Sequence, residues 1–402
     1  MLSQPLPQDQ RPYLAQLFSL FLGSMIAPMG GIGVVPLIPV LTQQWSLPFS
    51  QATLIIPFYM IPFIVIQLMA GSLAQLFDER KAMLAGLLVY SLGASICGLA
   101  PDRWVLFAGR LVQGSGAGLV IPVAMAQMGE LVPPRHLGKT MGMLGLFNTA
   151  GVTLGPLISG LLETHYGWPA FFYFLTGLAL FAGLLYLPAS RSAARPAGGP
   201  MLLGAVLADF RRSLALPGSL AVGFAAFFLF VCYIGIMTFT AQYLKTVHGL
   251  ASDKVGALLS MAGIAGVVIS PFAGYLGDRF GRQRVILAGS GLALVGILLM
   301  VLLPYTYNRY LIWFLMYGTG VATAWTVLNT MAVDLSLELR RPVSSLYNAI
   351  KFTGYAIAPQ LLALLWDLSQ LSAVQWGCLA AVIIATLLAL RGQARTLQAA
   401  RR

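Results

Sequence analysis

The chain has 402 residues, 58% of them hydrophobic and only 9% charged, with a formal net charge of +12. An ordinary globular domain carries about 25% charged residues, so a soluble enzyme is excluded. On so apolar a chain the basic excess concerns membrane topology, not nucleic acid.

Between Arg11 and Asp78 run 66 residues without Asp, Glu, Lys or Arg. One helix of that length would reach about 99 Å at about 1.5 Å per residue, against a hydrocarbon core of about 30 Å. The run must fold back, and residues 43–48 (QQWSLP) are the natural break. Apolar stretches bounded by charges or turn residues predict twelve helices: 13–41, 49–77, 82–100, 103–131, 137–163, 167–189, 216–245, 252–277, 284–304, 308–335, 343–367 and 373–391. These runs are continuously apolar and do not alternate, which argues against a barrel. The N-terminal segment has no small-residue cleavage site and reads as a retained first span. The expectation is an all-α polytopic membrane protein.

The bases orient it. With the N-terminus inside, eighteen of the 24 Lys and Arg residues fall in cytoplasmic segments, and Arg103, Lys245, Lys254 and Arg309 fall outside. Both termini are therefore expected in the cytoplasm of a cell inner membrane. Arg110 and Lys351 lie within spans. Cys97, Cys232 and Cys378 are far apart in apolar runs and read as buried fillers, with no metal site or cofactor expected.

The one long polar connection divides the spans six and six. The expected units are an N-terminal bundle 1–189, a linker 190–215, a C-terminal bundle 216–392 and a basic tail 393–402. Within the linker, Arg191–Pro200 has a flexible composition and Met201–Arg212 suits a membrane surface. The halves echo each other at an offset of 203–204: Gly71–Gln75 with Gly274–Asp278, Gln113–Gly116 with Tyr317–Gly320, Glu130 with Asp334, and Gly151–Pro156 with Gly354–Pro359. A duplicated six-helix unit points to a transporter with its site at the repeat interface.

Three motifs carry a family resemblance over nearly the whole chain. Gly274-Tyr-Leu-Gly-Asp278-Arg279-Phe-Gly281-Arg282 is similar to the cytoplasmic-loop signature of the major facilitator superfamily, in its second-half copy. Gly109-Arg110-Leu-Val-Gln113-Gly114-Ser-Gly116 resembles the fourth-helix motif, whose arginine is associated with proton coupling. Gly142, Gly151, Gly155, Pro156 and Gly160 resemble the fifth-helix antiporter motif of drug exporters, with Ser159 in place of a usual glycine. The resemblance implies the major facilitator fold, two pseudo-symmetric six-helix bundles working as a proton-linked exporter by rocker-switch alternating access. It also implies pairing of Asp278 or Arg282 with Asp334 as a cytoplasmic gate. The first-half copy departs, with Gln75, Leu76, Asp78 and Glu79 at the matching positions. Glu79 and Glu130 would repel, leaving Arg80 or Lys81 to take over or a weak latch.

Charges inside a membrane mark function. Arg110 and Lys351 are candidates for coupling, with Glu130 and Asp334 added by elimination. With no carboxylate inside helices one, two, seven, eight or nine, a strongly cationic substrate is disfavoured; a neutral, zwitterionic or anionic amphiphile fits better. If the family layout holds, the cavity is lined by Met25, Met29, Gln113, Met125, Gln127, Tyr233, Gln242, Trp325 and Asn329, with Asn348 a turn before Lys351. The expected partners are a small-molecule substrate, H+ and the bilayer, for a monomer. The alternative is a dedicated exporter or importer of one neutral or anionic metabolite, such as a siderophore or organic anion. His136, His165 and His248 sit apart near helix ends, which disfavours an intramembrane enzyme; a lipid-scrambling or sensory protein on the same scaffold is the reading outside the transport class.

Overall fold

Proline and glycine break the first predicted span into three pieces in the computed structural model, which describes residues 10–76, 78–189, 203–336 and 338–401. Helix α1 (Gln10–Ile32) ends as a 3-10 turn begins at Val35–Leu37, and α2 (Ile38–Gln44) follows. Pro36 and Pro39 stand in the first turns of the two later pieces, where a missing N–H does no harm. The second span is likewise a short α3 (Phe49–Ala52) and a long α4 (Ile55–Leu76). The first half continues with α5 (Glu79–Gly98), α6 (Arg103–Leu131), α7 (Pro134–Tyr166) and α8 (Pro169–Ala189). The stretch Arg191–Pro200, expected to be flexible, lies outside the described residues.

Helix α9 (Leu203–Ala215) precedes the second half: α10 (Ser219–Thr246), α11 (Ser252–Phe280), α12 (Arg282–Leu302), α13 (Tyr307–Val333) and α14 (Arg340–Arg401). Helix α14 is broken at Ser369 and Gln370, which leave helical geometry between the eleventh and twelfth predicted spans. Among the described residues, eleven helices are long and apolar enough to cross a membrane, and the break in α14 makes twelve crossings of them. The second arm of α14 runs on through the expected tail to Arg401.

The repeat offset reappears as matched helix contacts. A Cβ at Gly114 would stand 2.1 Å from the Tyr59 carbonyl oxygen, and one at Gly318 would stand 2.4 Å from the Ala262 Cα. Both pairs of positions are separated by the repeat length. So are Gly151, seated on the Met25 carbonyl, and Gly354, seated on that of Phe227. Small residues let these backbones touch, which is how helices gain packing energy where no hydrophobic drive exists.

Among the described residues, the two sets of six helices meet along two seams, both in the half of the molecule remote from the termini. On one seam Gly160 of α7 faces the Ser252 carbonyl, Gly256 of α11 faces that of Pro156, and Gly263 faces Thr153. The Asp253 amide donates to Thr164 Oγ1 at 3.0 Å, and Lys245 Nζ lies 4.0 Å from Glu163. On the other seam Gln360 Nε2 donates to Thr53 at 3.3 Å, Phe49 packs against Trp366, and Phe63 meets Phe352 edge-on at 5.2 Å. Toward the termini the seam opens: a Cβ at Gly142, Gly145 or Gly274 would have no heavy atom within 4 Å.

Candidate functional site

Breaking the first span has a chemical consequence. The last carbonyls of an α-helix have no N–H four residues on to accept from, and Gly30 lies in the last turn of α1. Arg110 fills that vacancy. Its Nη1 donates to Gly30 O at 2.9 Å and to Gln113 Oε1 at 2.8 Å, and its Nε donates to Ile55 O at 3.1 Å. The guanidinium lies 4.1 Å from the Tyr59 ring centroid, and Tyr59 OH is itself held by Ala27 O at 2.7 Å. Arg110 is 0% exposed and its Nη2 has no partner, nor does Gln113 Nε2. The result is a buried cation solvated by backbone dipoles of α1 and α4 instead of by a carboxylate.

The second intramembrane cation has a different setting. Lys351 is 4% exposed and stands eleven residues along α14, about 16 Å deep at about 1.5 Å per residue. Its Nζ donates to Asn348 Oδ1 at 2.6 Å. Four rings surround it, with centroids at 4.5 Å for Phe352, 5.2 Å for Tyr347, 5.5 Å for Phe230 and 5.6 Å for Trp325. Each ring face attracts a cation, more strongly when both are out of water. Trp325 Nε1 and Tyr347 OH are buried without partners, as is the hydroxyl of Tyr355, which lies toward Gly31 of α1.

No membrane-crossing helix carries an acid more than three residues from a helix end or from the break in α14. Among the described residues the ion pairs are Lys245–Glu163 and Arg282–Asp334, so neither Arg110 nor Lys351 has a carboxylate within 4.0 Å. Glu130 and Asp334, both exposed, sit at the terminal ends of α6 and α13.

The expected cavity residues divide. Trp325 and Asn348 join Lys351 directly, and Tyr233 belongs to the adjoining aromatic cluster, stacked on Tyr317 with centroids 6.4 Å apart and near Phe230. Gln113 joins Arg110. Met25 and Asn329 are half-buried, and Met125 is exposed on the open side of α6. Gln242 is buried with its Oε1 unpartnered. Two expectations need correction. Met29 is 1% exposed, its carbonyl wedged between Gly33 and Gly155, so it is packing at the α1–α7 contact. Gln127 donates to Glu79 O at 2.9 Å and accepts from Tyr186 OH at 2.8 Å, so both ends of its amide are engaged within the first half.

The loop motif is also partly redrawn. Gly281 takes φ +88°, a left-handed turn between α11 and α12 that suits glycine. It delivers Arg282 to Asp334, with which it pairs. Asp278 stays exposed, without an ion pair among the described residues, and Arg279 turns aside to Tyr275 OH at 3.0 Å. In the first half, Asp78 caps α5 through the Arg80 amide, and Glu79 feels the like charges of Glu130 and Asp78. Arg80 reaches Leu187 O at 3.0 Å instead of an acid. The side chains of Gln75 and Leu76 lie outside the described residues. In the fifth-helix motif, Gly151 and Gly155 face α1 while Pro156 and Gly160 face α11. Ser159 is fully buried and returns its hydroxyl to Pro156 O.

Of the rings around the two cations, only Trp325 was expected from the sequence. Tyr347, Lys351 and Tyr355 recur every four residues, a spacing that puts them on one helix face. That signal was available; the partner on α10, Phe230, had none.

The sequence profile of the Major Facilitator Superfamily matches residues 20–359. An uncharacterized MFS-type transporter of Bacillus subtilis, YwfA, is 27% identical, covering 91% of this chain and 89% of its own. Multidrug resistance protein Stp of Mycobacterium tuberculosis is 24% identical over 86% of this chain and 74% of its own. Among solved structures, a bacterial homolog of the human lysosomal transporter Spinster superposes with a TM-score of 0.76 at 16% identity, covering 98% of each chain.

Proposed function

Because the chain belongs to the major facilitator superfamily, we propose that it is a proton-coupled exporter of amphiphilic small molecules, working by rocker-switch alternating access. One observation carries the reading: two buried cations, Arg110 and Lys351, lie in opposite halves that, among the described residues, touch toward one end only. Likeness to a multidrug resistance protein supports the outward direction.

In this reading the termini are cytoplasmic, so the open end faces the cytoplasm and receives substrate there. The outer seams part as the inner ones close, with Gly142 and Gly274 free to accept a neighbour. Arg110 is the coupling residue, because its hold on Gly30 O and Ile55 O ties α6 to both α1 and α4. Glu130 and Asp334 stand in cytoplasmic water, where they are the available proton acceptors. The protein acts as a monomer in the inner membrane. The enclosed seat of Lys351 favours one further possibility, a dedicated carrier of a single neutral or anionic metabolite.

The test is transport of an uncharged amphiphilic dye by purified protein in liposomes with an imposed pH gradient. The gradient is expected to accelerate transport and Arg110→Ala to abolish the acceleration. Transport indifferent to the gradient and to that substitution overturns the coupling.

A further inference from the structure

The surroundings of Lys351 go beyond general amphiphile transport. An ammonium has three N–H groups; here one meets Asn348 Oδ1 and the others face rings. Two of the rings around it carry a polar group with no partner: Trp325 Nε1, which can only donate, and the hydroxyl of Tyr347. Buried polar groups are almost always satisfied, and each unsatisfied one costs about 1–3 kcal/mol. A cluster with one cation, idle donors and no carboxylate is short of negative charge and of acceptors.

We propose that this cluster is the head-group site for a free organic carboxylate with an apolar or aromatic body. The carboxylate sits against Lys351 Nζ and accepts from Trp325 Nε1 and the Tyr347 hydroxyl. Phe230 and Phe352 flank the body, and Phe63 extends the wall from the first half, since it meets Phe352 across the seam at 5.2 Å. The aromatic box is not a site for a cationic ligand, because the lysine already occupies it and like charges out of water repel strongly. Tyr355, one turn on and beside Phe230, continues the wall to the other half: its hydroxyl, without a partner, comes within 3.7 Å of a Cβ placed on Gly31 of α1, one residue from the Gly30 carbonyl that Arg110 holds. An anion bound here therefore bears on both halves at once. The proposal rests on the transport reading only for its physiological meaning; the binding site itself is testable without any gradient.

The experiment uses three ligands of nearly one shape: 1-naphthoate, its methyl ester and 1-naphthylmethylammonium. Binding to the full-length protein in phosphatidylcholine nanodiscs is read from tryptophan fluorescence. Wild type is expected to bind naphthoate at least tenfold more tightly than the ester or the ammonium. Lys351→Gln is expected to erase that preference, Lys351→Arg to keep most of it, and Trp325→Phe to weaken naphthoate alone by a few-fold. Should Lys351→Gln fail to fold, Trp325→Phe and Tyr347→Phe carry the same comparison. Absence of saturable naphthoate binding, equal binding of the three ligands, or a preference that survives Lys351→Gln overturns the proposal. Displacement of naphthoate by phosphatidylglycerol added to the nanodiscs overturns it in favour of a lipid head group. Carboxylate-selective binding without gradient-driven transport removes the exporter reading and leaves this site. Gradient-driven dye transport without carboxylate selectivity does the reverse.

Discussion

The two halves share a backbone plan and differ in where they keep their charge. At the repeat offset Arg110 corresponds to Phe314 and Gln113 to Tyr317, while the glycines that follow, Gly114 and Gly318, make the same close approach. The first half thus holds a guanidinium against carbonyls of a broken helix, where the second stacks Tyr317 on Tyr233. The second half has its cation on α14 instead. Lys351 corresponds to Asn148 of α7, whose buried Oδ1 has no partner. The end loops diverge too: Arg282 pairs with Asp334, whereas the matching Glu79 and Glu130 repel and Gln127 ties α6 to the Glu79 carbonyl. At these matched contacts duplication keeps what close packing demands while polar chemistry drifts, because a methyl group at Gly114 or Gly318 would press into backbone while a charge can be relocated.

Substituting the matched positions breaks this comparison most sharply. Arg110→Met leaves Gly30 O, Ile55 O and Gln113 without their donor, at about 1–3 kcal/mol each. It should abolish the response of transport to a pH gradient and lower Tm by far more than Phe314→Leu, a near volume-conserving change costing under about 1.5 kcal/mol. If Phe314→Leu also removes the pH response, the halves are not functionally distinct.

Next in size are the shared glycines. Gly114→Ala and Gly318→Ala each press a methyl group into backbone and should cost about 1–3 kcal/mol, to a similar degree in both halves. Thermal unfolding in detergent reads this, and a loss confined to one of the two would show that the packing is not equivalent.

The latch residues come after that. Asp334→Asn removes an exposed pair worth at most about 1 kcal/mol, so Tm should barely move. The first-half counterpart is Glu79→Arg, which replaces repulsion from Glu130 by attraction. It should slow labelling of a cysteine placed at Gly142 by favouring closure at that end, and unchanged labelling would deny the first-half loop any latch role.

The smallest expected effect is from Gly142→Ala, since nothing lies within 4 Å of the added Cβ. Stability should stay within about 0.5 kcal/mol of wild type, as for substitutions that touch no special feature. Transport should nevertheless fall, because the open seam must later close over that position.

The amino-acid sequence by itself determined the class, the spans and the repeat. Sixty-six uncharged residues leave no alternative to folding back in a membrane, and glycines at a fixed offset mark the helix contacts that both halves reuse. It also singled out Arg110 and Lys351, since a charge in hydrocarbon stands out in any linear reading. Tertiary structure decided what those charges touch. That Gly30 carries a carbonyl for Arg110 depends on α1 ending there. The box around Lys351 draws Phe230 from α10, remote in the chain and unremarkable in an apolar run, and sets it opposite Trp325 of α13, which the sequence had offered only as one cavity residue among many. Gln127 had the composition of a cavity residue and became a strut, because hydrogen-bond partners are set by which helix ends meet and not by residue type. Periodicity reports which face of a helix is apolar; only packing reports what stands opposite that face.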